Sequence, residues 1–197
     1  MRHPILKFMV VAVGLSLAAC ASGPPPSSAL PPVSFADQPP FVLDIARIEI
    51  VTNYAAPSSA PHIELTMPVN PENAIRRWVQ DRLQPRGTAG TLRVIISDAS
   101  ATETTLPKDP NATVFNDEPQ SKVDMSVAVA LQLLDDRQFV VAEVTGKASS
   151  GQTLRSGLKL NEHDRLLYDM VIALVKSMDG EMSPRIRTAF HNQLMIQ

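Results

Sequence analysis

"KVDMSVAVALQLL", Lys122 to Leu134, is the stretch on which the fold turns. Val123, Met125, Val127, Val129, Leu131 and Leu133 fall at every second position, with Asp124, Ser126, Ala128, Ala130 and Gln132 between them. A strict period of two predicts a half-buried strand with its apolar side chains on one face. Asp135, Asp136, Arg137 and Gln138 form a polar turn, and "FVVAEVTGKAS" returns as the second arm of a hairpin. The small side chains on the outer face leave room for another surface to approach.

Outward from this hairpin the chain reads as alternating strand and helix signals. "FVLDIARIEIVTN", from Phe41, is rich in β-branched residues and predicts a strand with Ile48 and Ile50 facing one way. "HIELTMP" alternates through Ile63, Leu65 and Met67 and predicts a short strand or extended lead-in. Asn70 is a good N-cap, Pro71 suits the first helical position and Glu72 complements the helix dipole. Ile75, Trp78, Val79 and Leu83 then form one helical stripe that Pro85 and Gly87 end. "TLRVIISDASATETTL" begins as a strand with Leu92, Val94 and Ile96 on one face. Residues 107 to 121 are polar and turn-rich and predict a loop. Asn161 is the expected cap of a long C-terminal helix, with Asp164 three residues on. Leu167, Met170, Val171, Leu174, Val175 and Met178 cover one face of it; Gly180 and Pro184 are expected to kink or break it. The fold class expected is α+β: a two-layer sandwich. A mainly antiparallel sheet of about four strands packs against two helices, the C-terminal one long and kinked.

The ends carry a different message. Arg2, His3 and Lys7 precede an apolar run of 12 residues, Phe8 to Ala19, too short to span a bilayer, which needs about 20. Cys20, the chain's one cysteine, follows at once. Residues 1–19 therefore read as a signal peptide cut between Ala19 and Cys20. Residues 20–40 carry seven prolines from 21 onward and predict a semi-rigid linker, and residues 41–197 form a single periplasmic α+β domain. Loss of residues 1–19 takes Arg2 and Lys7 from the 18 basic residues, leaving 16 against 20 acidic ones, a net charge of −4. That balance argues against nucleic acid as a partner.

No catalytic constellation is legible. G-x-S-x-G is absent, His62, His163 and His191 stand in unrelated contexts, and neither H-x-x-x-H nor C-x-x-C occurs. The expectation is a protein that is not an enzyme and takes no cofactor and no metal. Asp117-Glu118 reads as a solvated turn, and Trp78 as core. Arg76, Arg77, Arg82, Arg86 and Arg93 are the candidate contacts for an anionic head group, weighed against an ordinary solvated helix face.

Leu17-Ala18-Ala19-Cys20 resembles a bacterial lipobox in all four positions. The resemblance implies a diacylglyceryl thioether on Cys20, palmitate or a similar acyl chain on the new amino group, and a membrane held through those chains. Ala21, where the enterobacterial inner-membrane retention signal has aspartate, implies the periplasmic face of the outer membrane of a Gram-negative bacterium. The order strand, helix, strand, long hairpin, C-terminal helix behind that cysteine is similar to outer-membrane envelope-assembly lipoproteins, namely the lipopolysaccharide-assembly lipoprotein and the ABC-type transport auxiliary lipoproteins. It implies a non-enzymatic accessory subunit of an envelope transport or assembly complex, with an envelope protein as partner. The alternative is a lipid- or glycolipid-binding periplasmic carrier, its ligand between helix and sheet.

Overall fold

The alternation at Lys122–Leu134 builds β5 (Pro119–Leu134), which pairs antiparallel with β6 (Val140–Arg155) along nearly its whole length. The computed structural model describes residues 29–107 and 119–195. The signal, Ala19, Cys20 and the Asp117-Glu118 pair lie outside the described residues. Val123, Met125, Val127, Val129, Leu131 and Leu133 are buried, whereas the residues between them are half-buried or exposed. Gln138 takes a positive φ of 66° in the turn, and the Asp135 carboxylate accepts from the amides of Arg137 and Phe139.

Four strands make the main sheet in the order β2-β4-β5-β6. β4 (Thr91–Thr105) lies antiparallel to β5, and β2 (Arg47–Thr52) runs parallel to β4. A parallel pair needs a crossover, which α1 (Pro71–Arg82) supplies. Leu92, Val94 and Ile96 face the core as the alternation predicts, but Ala99 and Ala101 continue that face. A bulge at Ser97 inserts the one extra residue that changes the parity. Without it Asp98 and Ser100 would be turned inward.

The stretch from Phe41 is not one strand. Phe41–Leu43 forms β1, which pairs parallel with β3 (Leu83–Pro85) in a separate two-stranded sheet. The chain bends at Asp44–Ala46, where the Asp44 amide donates to the Gln193 carbonyl and Ile45 turns into the core. "HIELTMP" forms no strand beyond a single bridge, His62 to Thr102. The amides of Thr66 and Met67 both donate to the Ile63 carbonyl, so a turn destroys the alternation. Its facing is reversed as well: Glu64 is 2% exposed and Leu65 64%.

α2 (Leu160–Ala189) covers the sheet's inner face. It starts two residues earlier than a cap at Asn161 implies. Lys159 is the cap residue, and the Glu162 carboxylate accepts from the Lys159 amide. The helix also runs unbroken through Pro184. The carbonyl that a proline ring crowds lies four residues back, and here it belongs to Gly180. Met178, Met182, Ile186 and Phe190 are fully buried on both sides of this point, and that packing keeps the helix together. Gly146 of β6 lets α2 approach: a Cβ there would overlap the Met182 side chain. No helix among the described residues is long and apolar enough to cross a membrane.

The packed chain begins upstream of Phe41. Phe35 is 2% exposed, its amide donates to Asp81, and Asp37 pairs with Lys176 at 2.7 Å. The Pro39 carbonyl accepts from Arg82, and Met195 donates to Val42. Residues 33–43 thus lie as a strap that follows α2 in the same direction.

Candidate functional site

A cavity of about 550 Å³ opens at the end of the sheet away from the β5–β6 turn. Ser121 pairs with Thr105 and with Leu154 at this end, and all three line the space. α2 contributes its first turn through Leu160 and His163, and the 60–63 segment adds His62 and Ile63. The peptide bond between Ala60 and Pro61 in that segment is cis. The two histidines, 101 positions apart by number, line one cavity.

Each histidine leans on a carboxylate. His163 Nε2 lies 3.3 Å from Glu103 Oε2, while the Ser121 hydroxyl donates to Glu103 Oε1 at 2.6 Å. His62 Nδ1 lies 3.0 Å from Glu64 Oε1. That same oxygen accepts from the Tyr54 hydroxyl at 2.5 Å and the Ala101 amide at 2.9 Å. Glu64 Oε2 is buried and has no hydrogen-bond partner among the described residues. Burial pushes the Glu64 carboxyl up, but the hydrogen bonds from Tyr54, Ala101 and His62 outweigh it and hold the group below the usual glutamate range. Tyr54 moves the other way. Its burial, then the Glu64 carboxylate beside it, raises the phenol well above its ordinary value.

This geometry does not pair the Ser121 hydroxyl with an imidazole. The Glu103 carboxylate stands between the Ser121 hydroxyl and the His163 ring, so the hydroxyl proton is directed at the carboxylate. What the walls offer is a mixture: two imidazoles, a carboxylate, two hydroxyls, the Gln120 amide and the Arg155 guanidinium alongside Ile63, Leu154, Leu158 and Leu160. The spacing of the sequence hides this set, because four separate segments build it.

The five arginines are not gathered into one patch. Arg76 pairs with Glu72 at 2.8 Å and also donates to the Thr52 hydroxyl. Arg77 pairs with Asp81 at 3.0 Å, and Arg93 lies 3.7 Å from Glu49. Arg86 is exposed beyond β3. Arg82 is 2% exposed, set under α2 against Asp179 and Ser183, with its guanidinium 4.9 Å from the Phe41 ring centroid. It is a core residue, not part of a solvated helix face. Trp78 is fully buried as expected.

No protein-family model matches the chain, and no curated protein does. Among solved structures it is similar to three bacterial lipoproteins. Rare lipoprotein B of Shewanella oneidensis is 9% identical over 72% of this chain and 95% of that one, with a TM-score of 0.37. Uncharacterized lipoprotein B of Nitrosomonas europaea is 11% identical over 77% and 86%, with a TM-score of 0.36. A minor lipoprotein of Acinetobacter baumannii is 10% identical over 73% and 95%, with a TM-score of 0.38.

Proposed function

We propose that this chain is a lipid-anchored, non-enzymatic periplasmic lipoprotein that serves as an accessory subunit of an envelope transport or assembly complex. One observation carries the reading: Leu17-Ala18-Ala19-Cys20, a complete lipobox tetrapeptide, closes a short basic-then-apolar start and holds the chain's one cysteine. Two or three acyl chains on Cys20, at about 0.8 kcal/mol per buried methylene, moor the domain stably at the periplasmic face of the outer membrane.

The domain suits contact with an envelope protein on the sheet's outer face. Ser126, Ala128 and Ala130 keep that face shallow beside Ser149 and Gly151. The β6 edge is the less suitable surface, because α2 already occupies it at mid-length. Arg185 donates to the Thr145 carbonyl, the Lys147 amide donates to Glu181, and those two side chains pair at 2.8 Å. The carrier alternative has little room between helix and sheet, where Met178 and Met182 fill the space over Gly146. A carried lipid would have to use the 550 Å³ cavity.

Mass spectrometry of the protein isolated from its host tests the anchor: the first residue should be Cys20 carrying acyl chains. A terminus elsewhere, or an unmodified cysteine, overturns the reading. Crosslinking from Ala130 in the host then separates the roles. A stoichiometric envelope-protein adduct supports the accessory subunit, and extracted lipid with no protein adduct supports the carrier.

A further inference from the structure

We infer that the pole of the domain where α2 begins is its membrane-facing surface, seated on a bilayer with anionic head groups; this rests on the lipid-anchor reading above. The tether leaves the molecule there. Ala29 and Leu30 lie against Leu158, Asn161, Glu162 and Leu166, at the first turn of α2. Leu30 is half-buried there, and downstream the strap is fixed along the helix by Phe35, by Asp37 to Lys176 and by Pro39 to Arg82. Nine residue steps separate Ala29 from Cys20, a reach of about 30 Å at most. α2 has 30 residues, a length of about 45 Å, and the β5–β6 turn lies at its far end. A domain standing on that turn would hold Ala29 farther from the lipid than the tether can span.

The surface chemistry of this pole agrees. The 60–63 segment and the start of α2 line one cavity; Leu160 on its wall is 78% exposed, and Leu65, two residues on from Ile63 of that wall, is 64% exposed. Lys159 is exposed next to Leu160, and the Glu162 carboxylate is turned back onto the Lys159 amide. Arg165 and Asp169 pair with each other, and Asp164 faces His163 at 3.9 Å. Apolar side chains with a lysine among them favour a lipid interface. The far pole also exposes apolar groups, Phe139, Val140 and Val141, with the acids Asp44, Asp136 and Glu143 and the cations Arg47, Arg86 and Arg137 around them, so the reach of the tether decides between the poles.

The test uses the mature lipoprotein. With Cys20 acylated, an introduced cysteine is its one free thiol. Ser156→Cys reports on the α2-start pole and Arg137→Cys on the turn. Each is labelled with an environment-sensitive fluorophore and reconstituted on phosphatidylcholine–phosphatidylglycerol vesicles carrying a head-group nitroxide. Strong quenching at 156 with none at 137 is expected, and the double variant Leu65→Asp, Leu160→Asp should lose most of the quenching at 156. Quenching at 137 as strong as at 156, quenching at neither, or no effect of the double variant overturns the orientation while leaving the anchor standing. Failure of the unlabelled protein to float with vesicles overturns the anchor and the orientation with it.

Discussion

Arg82 and Glu64 are ionisable residues that the fold takes fully inside, and each shows what burial demands of a charge. Arg82 satisfies its guanidinium with Asp179, Ser183 and the Pro39 carbonyl, joining α1, α2 and the strap at one point. Removing one member of a buried pair leaves the other unpaired, at a cost of about 3–5 kcal/mol. Exposed helix pairs such as Arg77 with Asp81 contribute about 0.3–0.5 kcal/mol. Urea denaturation should therefore show Arg82→Ala losing about 3–5 kcal/mol and Arg77→Ala under about 1 kcal/mol. Equal losses would place Arg82 on the surface. Glu64 gives a pH prediction. Its folded carboxyl is held below the unfolded value, so the unfolded chain binds the extra proton in acid. The stability it contributes is complete above the ordinary glutamate pKa of about 4.3 and is lost as pH falls through the folded value. Glu64→Gln keeps acceptors for Tyr54 and Ala101 but cannot titrate, so its stability should decline less steeply with acid below about pH 4.3. An unchanged slope in acid melts would remove Glu64 from the account. Neither residue was legible from periodicity. Arg82 sits in a run of arginines that reads as a solvated face, and Glu64 at a position that alternation turns outward.

At the scale of elements, the long hairpin carries the fold and the sequence shows it plainly. Adjacent positions in β5 have opposite fates. Leu131 is fully buried, while Ala130 points to the outer face. An unpaired carboxylate in the core is too costly for a marginally stable domain to accommodate. Leu131→Asp should abolish cooperative thermal unfolding, whereas Ala130→Asp should melt as one domain with a loss of about 1 kcal/mol or less. The reverse result, read by circular dichroism, would mean that the sheet faces the other way. The hairpin and the apolar stripes of both helices were legible because each repeats one period over many residues. What stayed hidden depended on events that interrupt a period: the bulge at Ser97, the turn after Ile63 and the bend at Asp44. Pro184 is the opposite case. A local rule predicts a kink or a break, and the buried Met178, Met182, Ile186 and Phe190 on its two sides hold the helix unbroken.

At the scale of the whole molecule, the proline-rich lead is where composition misdirects most. Proline and serine from 21 to 40 read as a linker, yet Phe35 is as buried as any core residue. Residues 33–40 have no sheet partner, and one buried aromatic with a few hydrogen bonds fixes them. The candidate cavity was hidden for a related reason, since His62, Glu103 and His163 meet only once the cis-proline segment, β4 and α2 are assembled. If the strap belongs to the domain, cutting at Phe41 removes more than a tether. It deletes Phe35, worth about 3–5 kcal/mol by analogy with phenylalanine truncation in cores, and strips Arg82 of one buried acceptor. At about 2–4 °C per kcal/mol for a domain of this size, a chain of residues 41–197 should melt about 10 °C or more below one of residues 29–197. Phe35→Ala in the longer chain should recover most of that difference. A truncated domain with the same melting temperature as the longer one would make the strap a passive linker, and would free the starting point of the tether from the α2 pole.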